Sequence, residues 1–160
     1  MKRLICLSLL FCIVVFAAAQ TVRKVSINEL DNYIQSSTRP LIVNFYATWC
    51  TPCLHELPYF QSTTAKYASQ NVELVLVSMD YVKTAAKKVQ GFVEKNKLKG
   101  TLFWLDETNA DVFCPRIDPK WSGGIPATLF LNKSKGYRKF FERQLTEPQF
   151  ELEVRKLVSK

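Results

Sequence analysis

The chain has 160 residues, 48% of them hydrophobic, and a formal net charge of +8 from 22 Lys and Arg against 14 Asp and Glu. That length suits one domain with a real core, which excludes a mini-protein dependent on disulfide staples, as does a total of only five cysteines. The basic residues are spread out, from Lys83, Lys87, Lys88, Lys95, Lys97 and Lys99 to Lys133, Lys135, Arg138 and Lys139, so they read as solvated faces, with weak attraction to acidic partners or anionic membranes as the alternative.

The opening stretch, MKRLICLSLLFCIVVFAAAQ, has Lys2 and Arg3, then an apolar run over 4–16 broken by Ser8, then Ala17, Ala18 and Ala19. This reads as a secretory signal peptide over residues 1–19, cleaved after Ala19, with an uncleaved membrane anchor as the alternative. The apolar run is short of the roughly 20 residues a spanning helix needs. Leu10 and Phe11 before Cys12 do not suit a lipoprotein signal. Cleavage leaves one domain over 20–160, with Cys50, Cys53 and Cys114, and lowers the net charge to +6 through loss of Lys2 and Arg3. Nucleic acid is not expected as a partner outside the cytoplasm.

Ser26 with Glu29 forms a capping-box pattern ahead of Leu30, Tyr33 and Ile34, so a short helix opens the domain and Arg39-Pro40 stops it. LIVNFYA, 41–47, is a near-continuous apolar run that suits a strand buried on both faces. A helix is predicted over 51–69 and a strand over 72–79. Over 81–97, Val82, Ala85, Ala86, Val89 and Val93 share one helical face. Strands follow at 101–105 and 127–132, and KSKG, 133–136, turns into an antiparallel neighbour at 137–143. The stretch DETNADVFCPRIDPKWSGG before the fourth strand reads as long and irregular. Thr146 with Gln149 caps a last helix whose buried stripe is Phe150, Val154, Leu157 and Val158. Strand and helix alternate and a hairpin with a helix closes the chain, which is α/β: a central mixed sheet with helices on both faces.

The chemistry-bearing stretch is FYATWCTPCLHELPYF. Cys50 and Cys53 lie three apart where the long strand meets its helix. That spacing brings the Cα atoms to about 5–6 Å, within disulfide range, so the pair can open and close without large backbone movement. Cys50 stands at the helix N-terminus, where free amides and the helix dipole favour a thiolate. Cys53, one turn in, is expected to be more buried and less acidic. Cys50 is therefore the attacking sulfur and Cys53 the resolving one. Pro52 lacks an amide hydrogen that the first turn does not need, and Trp49 is expected to shield the sulfurs while leaving one edge open.

A zinc site is disfavoured, because Cys114 and His55 are the only further soft candidates and His55 follows Cys53 too closely on the helix to share a metal. No metal or other cofactor is expected. An inert staple of so short a loop adds little. Glu56 is one turn beyond Cys53, where a partly buried carboxylate with a raised pKa can accept the resolving thiol's proton; a solvent-facing Glu is the alternative. Cys114 is either a small buried hydrophobe or a secondary redox thiol, His55 a surface residue or a charge near Cys53, and Trp121 a groove wall or plain packing.

ATWCTPC at 47–53, with GIPATLF far downstream at 124–130, resembles the thioredoxin superfamily, and VNFYATWCTPCLHELPYF is similar to its TlpA/ResA-type extracytoplasmic thiol-disulfide oxidoreductases. The resemblance runs from about Ser26 to the end of the chain. It implies a thioredoxin fold and a cis bond before Pro126, whose loop lies against the cysteine pair. It further implies that the backbone of Ile125 pairs with an extended substrate segment, so that Trp49, Pro52, Ile125 and Pro126 form the substrate-binding set and Ile125 keeps metals from the sulfurs. It supports a functional Glu56. Asn44 stands where cytoplasmic thioredoxins have a buried Asp; it does not titrate, which leaves that role to Glu56.

The expected function is an exported reductase of protein disulfides, in the periplasm or another extracytoplasmic space, anchored there if the signal segment is retained. A membrane thiol-disulfide electron donor and cysteine-containing exported proteins, apocytochrome c among them, are the expected partners of a monomer. A disulfide oxidase or isomerase of the same fold and a non-catalytic client-binding module are the alternatives. Strong oxidants usually place a His between the cysteines, and this chain has Thr51-Pro52. A peroxidase is disfavoured, since its reactive cysteine does not normally sit in such a pair.

Overall fold

Residues 20–81 and 85–159 are described here from a computed structural model. The signal peptide expected over 1–19 and Val82 of the expected third helix lie outside the described residues. The elements run β1 (Arg23–Val25), α1 (Ile27–Ser36), β2 (Leu41–Tyr46), α2 (Thr51–Lys66), β3 (Glu73–Ser78), α3 (Ala85–Asn96), β4 (Thr101–Leu105), α4 (Ala110–Ile117), β5 (Ala127–Asn132), β6 (Tyr137–Phe141) and α5 (Glu147–Val158). They form one six-stranded sheet in the order β1-β4-β3-β2-β5-β6. β1, β4, β3 and β2 are mutually parallel, while β5 runs antiparallel to both β2 and β6.

All six residues of β2 are buried, as an apolar run in the middle of a sheet covered on both sides requires. Alternation sends Ile42 and Tyr46 into the core under α2, α3 and α5, with Phe60, Val89, Phe150 and Leu157. Leu41, Val43 and Phe45 face the opposite core with Leu30 and Ile34 of α1 and Phe113 and Ile117 of α4. Phe60 and Phe150 stack at 3.7 Å between centroids and pin α2 to α5. The two capping boxes form: Ser26 N donates to Glu29 Oε2 at 2.8 Å, and Thr146 N to Gln149 Oε1 at 3.1 Å.

One element has no counterpart in the sequence pattern and two expectations need correction. β1 leaves no pattern, being three residues long and carrying two charges. The stretch expected to be irregular contains α4, capped by Asn109, whose side chain accepts from Asp111 N at 3.0 Å. Pro115 inside α4 hides it, because proline reads as a helix breaker. α2 ends at Lys66 rather than residue 69; a 3₁₀ turn at Ala68–Gln70 and Asn71 in the left-handed region (φ 58°) close it.

The parallel strands β2 and β3 end at one edge of the sheet, and antiparallel β5 begins there, with Phe45 opposite Ala127. Topology thus gathers the loops after β2, after β3 and before β5. Among the described residues, no helix is long and apolar enough to cross a membrane.

Candidate active site

Cys50 is the N-cap of α2; its amide donates to Ala47 O at 3.1 Å and its carbonyl accepts from Leu54 N at 3.0 Å. Cys53 lies one turn into the helix with its Cα 5.3 Å from that of Cys50, and the two sulfurs are bonded. Cys50 retains 5% exposure and Cys53 none, so the outer sulfur is the one a second protein can reach. Pro52 occupies the exposed first turn and Trp49, just before the pair, is 56% exposed. His55 is exposed on α2.

The loop carrying Trp49 and Cys50 is tied to the end of β3. Asp80, buried, accepts from Thr48 N at 2.9 Å and Thr48 Oγ1 at 2.6 Å, and also from Ser78 Oγ at 2.9 Å. Half-exposed Lys88 lies 3.4 Å from its Oδ1. On the other side the Ile125–Pro126 peptide is cis, Pro126 is buried, and the Ile125 carbonyl oxygen is 3.9 Å from Cys50 Sγ. The loop before β5 therefore lies directly against the disulfide.

Glu56 is fully buried. Its Oε1 accepts from Asn44 Nδ2 at 2.8 Å and its Oε2 from Leu145 N at 3.3 Å. Asn44 Nδ2 also reaches Thr128 Oγ1 at 3.1 Å, its cross-strand partner in the β2–β5 register. Loss of solvent raises the Glu56 pKa to about 7 against the two hydrogen bonds, which favour the charged form. A carboxyl that titrates near neutrality, one helical turn from Cys53, is equipped to take and return a proton.

Cys114 is buried in α4, and burial, with the charges of Glu142 and Asp111, pushes its thiol up to about 11. A thiol so hard to ionise fits the small-hydrophobe reading. Trp121 is 4% exposed and packs against Phe45, Phe113 and Phe140, with centroids at 4.6, 5.7 and 5.8 Å, so it is core rather than groove wall. Its indole N–H donates to Gly124 O at 2.8 Å, tying that core to the cis-proline loop.

Sequence reasoning missed Asp80 and Glu142. Asp80 had a signal: an acid just past a buried strand needs a donor, because an unpaired buried charge is costly. Glu142, which accepts hydrogen bonds from Ser122 and Gly124, had none, since its partners come from a loop 18 to 20 residues earlier. Among the described residues no group of three or more His, Cys, Asp or Glu is placed to hold a metal. A groove of about 390 Å³ lined by Arg39, Gln61, Val72, Lys99 and Thr101 lies at the opposite end of the strands from the disulfide and takes no part in this site.

The sequence matches the AhpC/TSA family over residues 15–135. It is 50% identical over 111 residues to thiol-disulfide oxidoreductase ResA of Oceanobacillus iheyensis, covering 69% of this chain and 53% of that protein. The chain thus spans about half the length, or less, of the curated relatives it matches. Among solved structures, StoA from Bacillus subtilis superposes with a TM-score of 0.56 at 28% identity over 76% of this chain and 86% of that one. A thioredoxin-related protein from Neisseria meningitidis serogroup B superposes with a TM-score of 0.66 at 23% identity over 79% and 91% of the two chains, which supports the thioredoxin fold.

Proposed function

The chain belongs to the AhpC/TSA family, and we propose that it is an exported thiol-disulfide oxidoreductase that reduces disulfides of extracytoplasmic proteins. One observation carries the reading: a bonded Cys50–Cys53 pair opens α2 with its outer sulfur 3.9 Å from the Ile125 carbonyl of a cis-proline loop. The kinship to proteins named thiol-disulfide oxidoreductases supports it. In the reduced enzyme the Cys50 thiolate attacks one sulfur of a client disulfide. The client's other sulfur leaves as a thiolate and a mixed disulfide forms. Glu56, as carboxylate, accepts the Cys53 proton. Cys53 then attacks Cys50 Sγ, the client's second sulfur leaves and takes a proton, and the Cys50–Cys53 bond re-forms. Two electrons pass to the client, so an external dithiol must restore the enzyme; a membrane thiol-disulfide donor is the partner proposed, and the enzyme works as a monomer. Trp49, Pro52, Ile125 and Pro126 form the face that receives the client. Export rests on the signal-like residues 1–19.

The test is the equilibrium reduction potential of the Cys50–Cys53 pair in protein from Gln20 onward. A value near or below about −250 mV supports a reductant, and a value near about −120 mV reverses the direction to an oxidant. A Cys50→Ser variant that keeps the biological effect overturns catalysis in favour of client binding.

A further inference from the structure

The cis-proline loop is gripped from both sides at Gly124. On one side the Trp121 indole donates to its carbonyl at 2.8 Å. On the other Glu142, one residue beyond β6, accepts from Gly124 N at 2.7 Å with Oε1 and from Ser122 N at 3.0 Å with Oε2, and the Ser122 hydroxyl donates to Oε1 as well. Both carboxylate oxygens are thus spent on one loop. Gly124 leaves them room: a Cβ there would sit 2.7 Å from Glu142 Oε1. Partial burial opposes the charge, but the Ser122 and Gly124 donors hold the Glu142 carboxyl below the usual carboxylate range, which favours its charged, accepting form. The anchor is tied to the sheet and core just before it: Phe141 pairs with Thr128 in the β5–β6 ladder and Phe140 packs on Trp121.

We infer that Glu142 is a positioning residue that sets the backbone of Ile125 for an extended polypeptide disulfide, and so makes the enzyme select polypeptide clients over small disulfides. The inference rests on the function proposed above. Glu142 touches neither sulfur nor client; it acts through Gly124 on the next residue, whose carbonyl lies at Cys50 Sγ. A client that lies along Ile125 feels this alignment as main-chain pairing. A small disulfide that only meets Cys50 does not.

The experiment is steady-state turnover of full-length protein, driven by dithiothreitol, on a disulfide-linked peptide and on a small aromatic disulfide. The variants are Glu142→Ala, Glu142→Gln and Gly124→Ala. The last keeps the carboxylate but displaces it, so it and the near-isosteric Gln variant carry the test if Glu142→Ala does not fold. We expect KM for the peptide to rise about tenfold, the scale of one charge-assisted hydrogen bond, with kcat and small-disulfide turnover within about twofold of wild type. Equal losses on both substrates, or no change on either, overturn the inference while leaving the proposed function standing. Failure of the wild type to turn over either disulfide overturns the proposed function and the inference with it.

Discussion

Glu56 reports on its own surroundings through its titration. Its pKa in the folded chain, about 7, lies above the ordinary 4.5, so the native state holds this proton more tightly than the unfolded one. The stability this contributes is present in full below pH 4.5 and is lost as pH rises through 7, amounting to roughly 3 kcal/mol. Urea unfolding of the oxidised protein between pH 4.5 and pH 8 should therefore show a falling midpoint, and Glu56→Gln should remove that slope; a wild-type midpoint with no such fall would mean the carboxyl is solvated. In turnover, the same variant should slow resolution of the mixed disulfide by roughly a hundredfold, the low end for a lost general base. The trapped adduct on non-reducing gels measures it. Asn44 belongs to the same unit: its amide N–H groups serve Glu56 and Thr128, while its Oδ1 has no partner among the described residues.

At the scale of elements, the site is built from ends. Asp80, two residues past β3, holds Thr48, two residues past β2, and with it the exposed Trp49 and the start of α2. Asp80→Ala strands the half-buried Thr48 amide and hydroxyl and the buried Ser78 hydroxyl and should cost about 2 kcal/mol in chemical denaturation. If Lys88, at 3.4 Å, were the partner that matters, Lys88→Ala would cost as much; with half its side chain in water, it should cost far less. Gly100, at the entry to β4, has φ +122°, and a Cβ there would lie 2.5 Å from the Leu74 carbonyl oxygen. Gly100→Ala forces backbone apart and should destabilise by about 2–4 kcal/mol. These ties mark what the sequence could and could not disclose. β2, β3, β5 and α5 were legible because each is a long apolar run or a capped amphipathic stripe. Cys50, Cys53 and Glu56 were legible because a helix converts sequence spacing into proximity. β1 is too short to leave a pattern, and α4 is masked by Pro115. The partners of Glu56 at Leu145 and of Glu142 at Ser122 arise only from tertiary packing, which periodicity does not encode.

The whole molecule places two helices of the chain's opposite halves in one core. α2 carries the cysteines, and α5 closes over it through Phe60 and Phe150. Phe150→Ala should cost about 3–5 kcal/mol and, by loosening α5, should raise hydrogen exchange at the Leu145 amide before that of β2. Exchange rising equally at both would mean that α5 does not open on its own. That amide is one of the two donors that hold Glu56, and the two residues stand 89 positions apart in the chain. Ribosomes make the cysteine pair first. At about 5–20 residues per second, Cys53 waits on the order of 5–20 s before the segment that completes its carboxylate's setting exists. A nascent chain therefore displays Cys50 and Cys53 before the Leu145 donor to Glu56 has been made, so the proton-relay step proposed above has its full setting only once that later segment is in place.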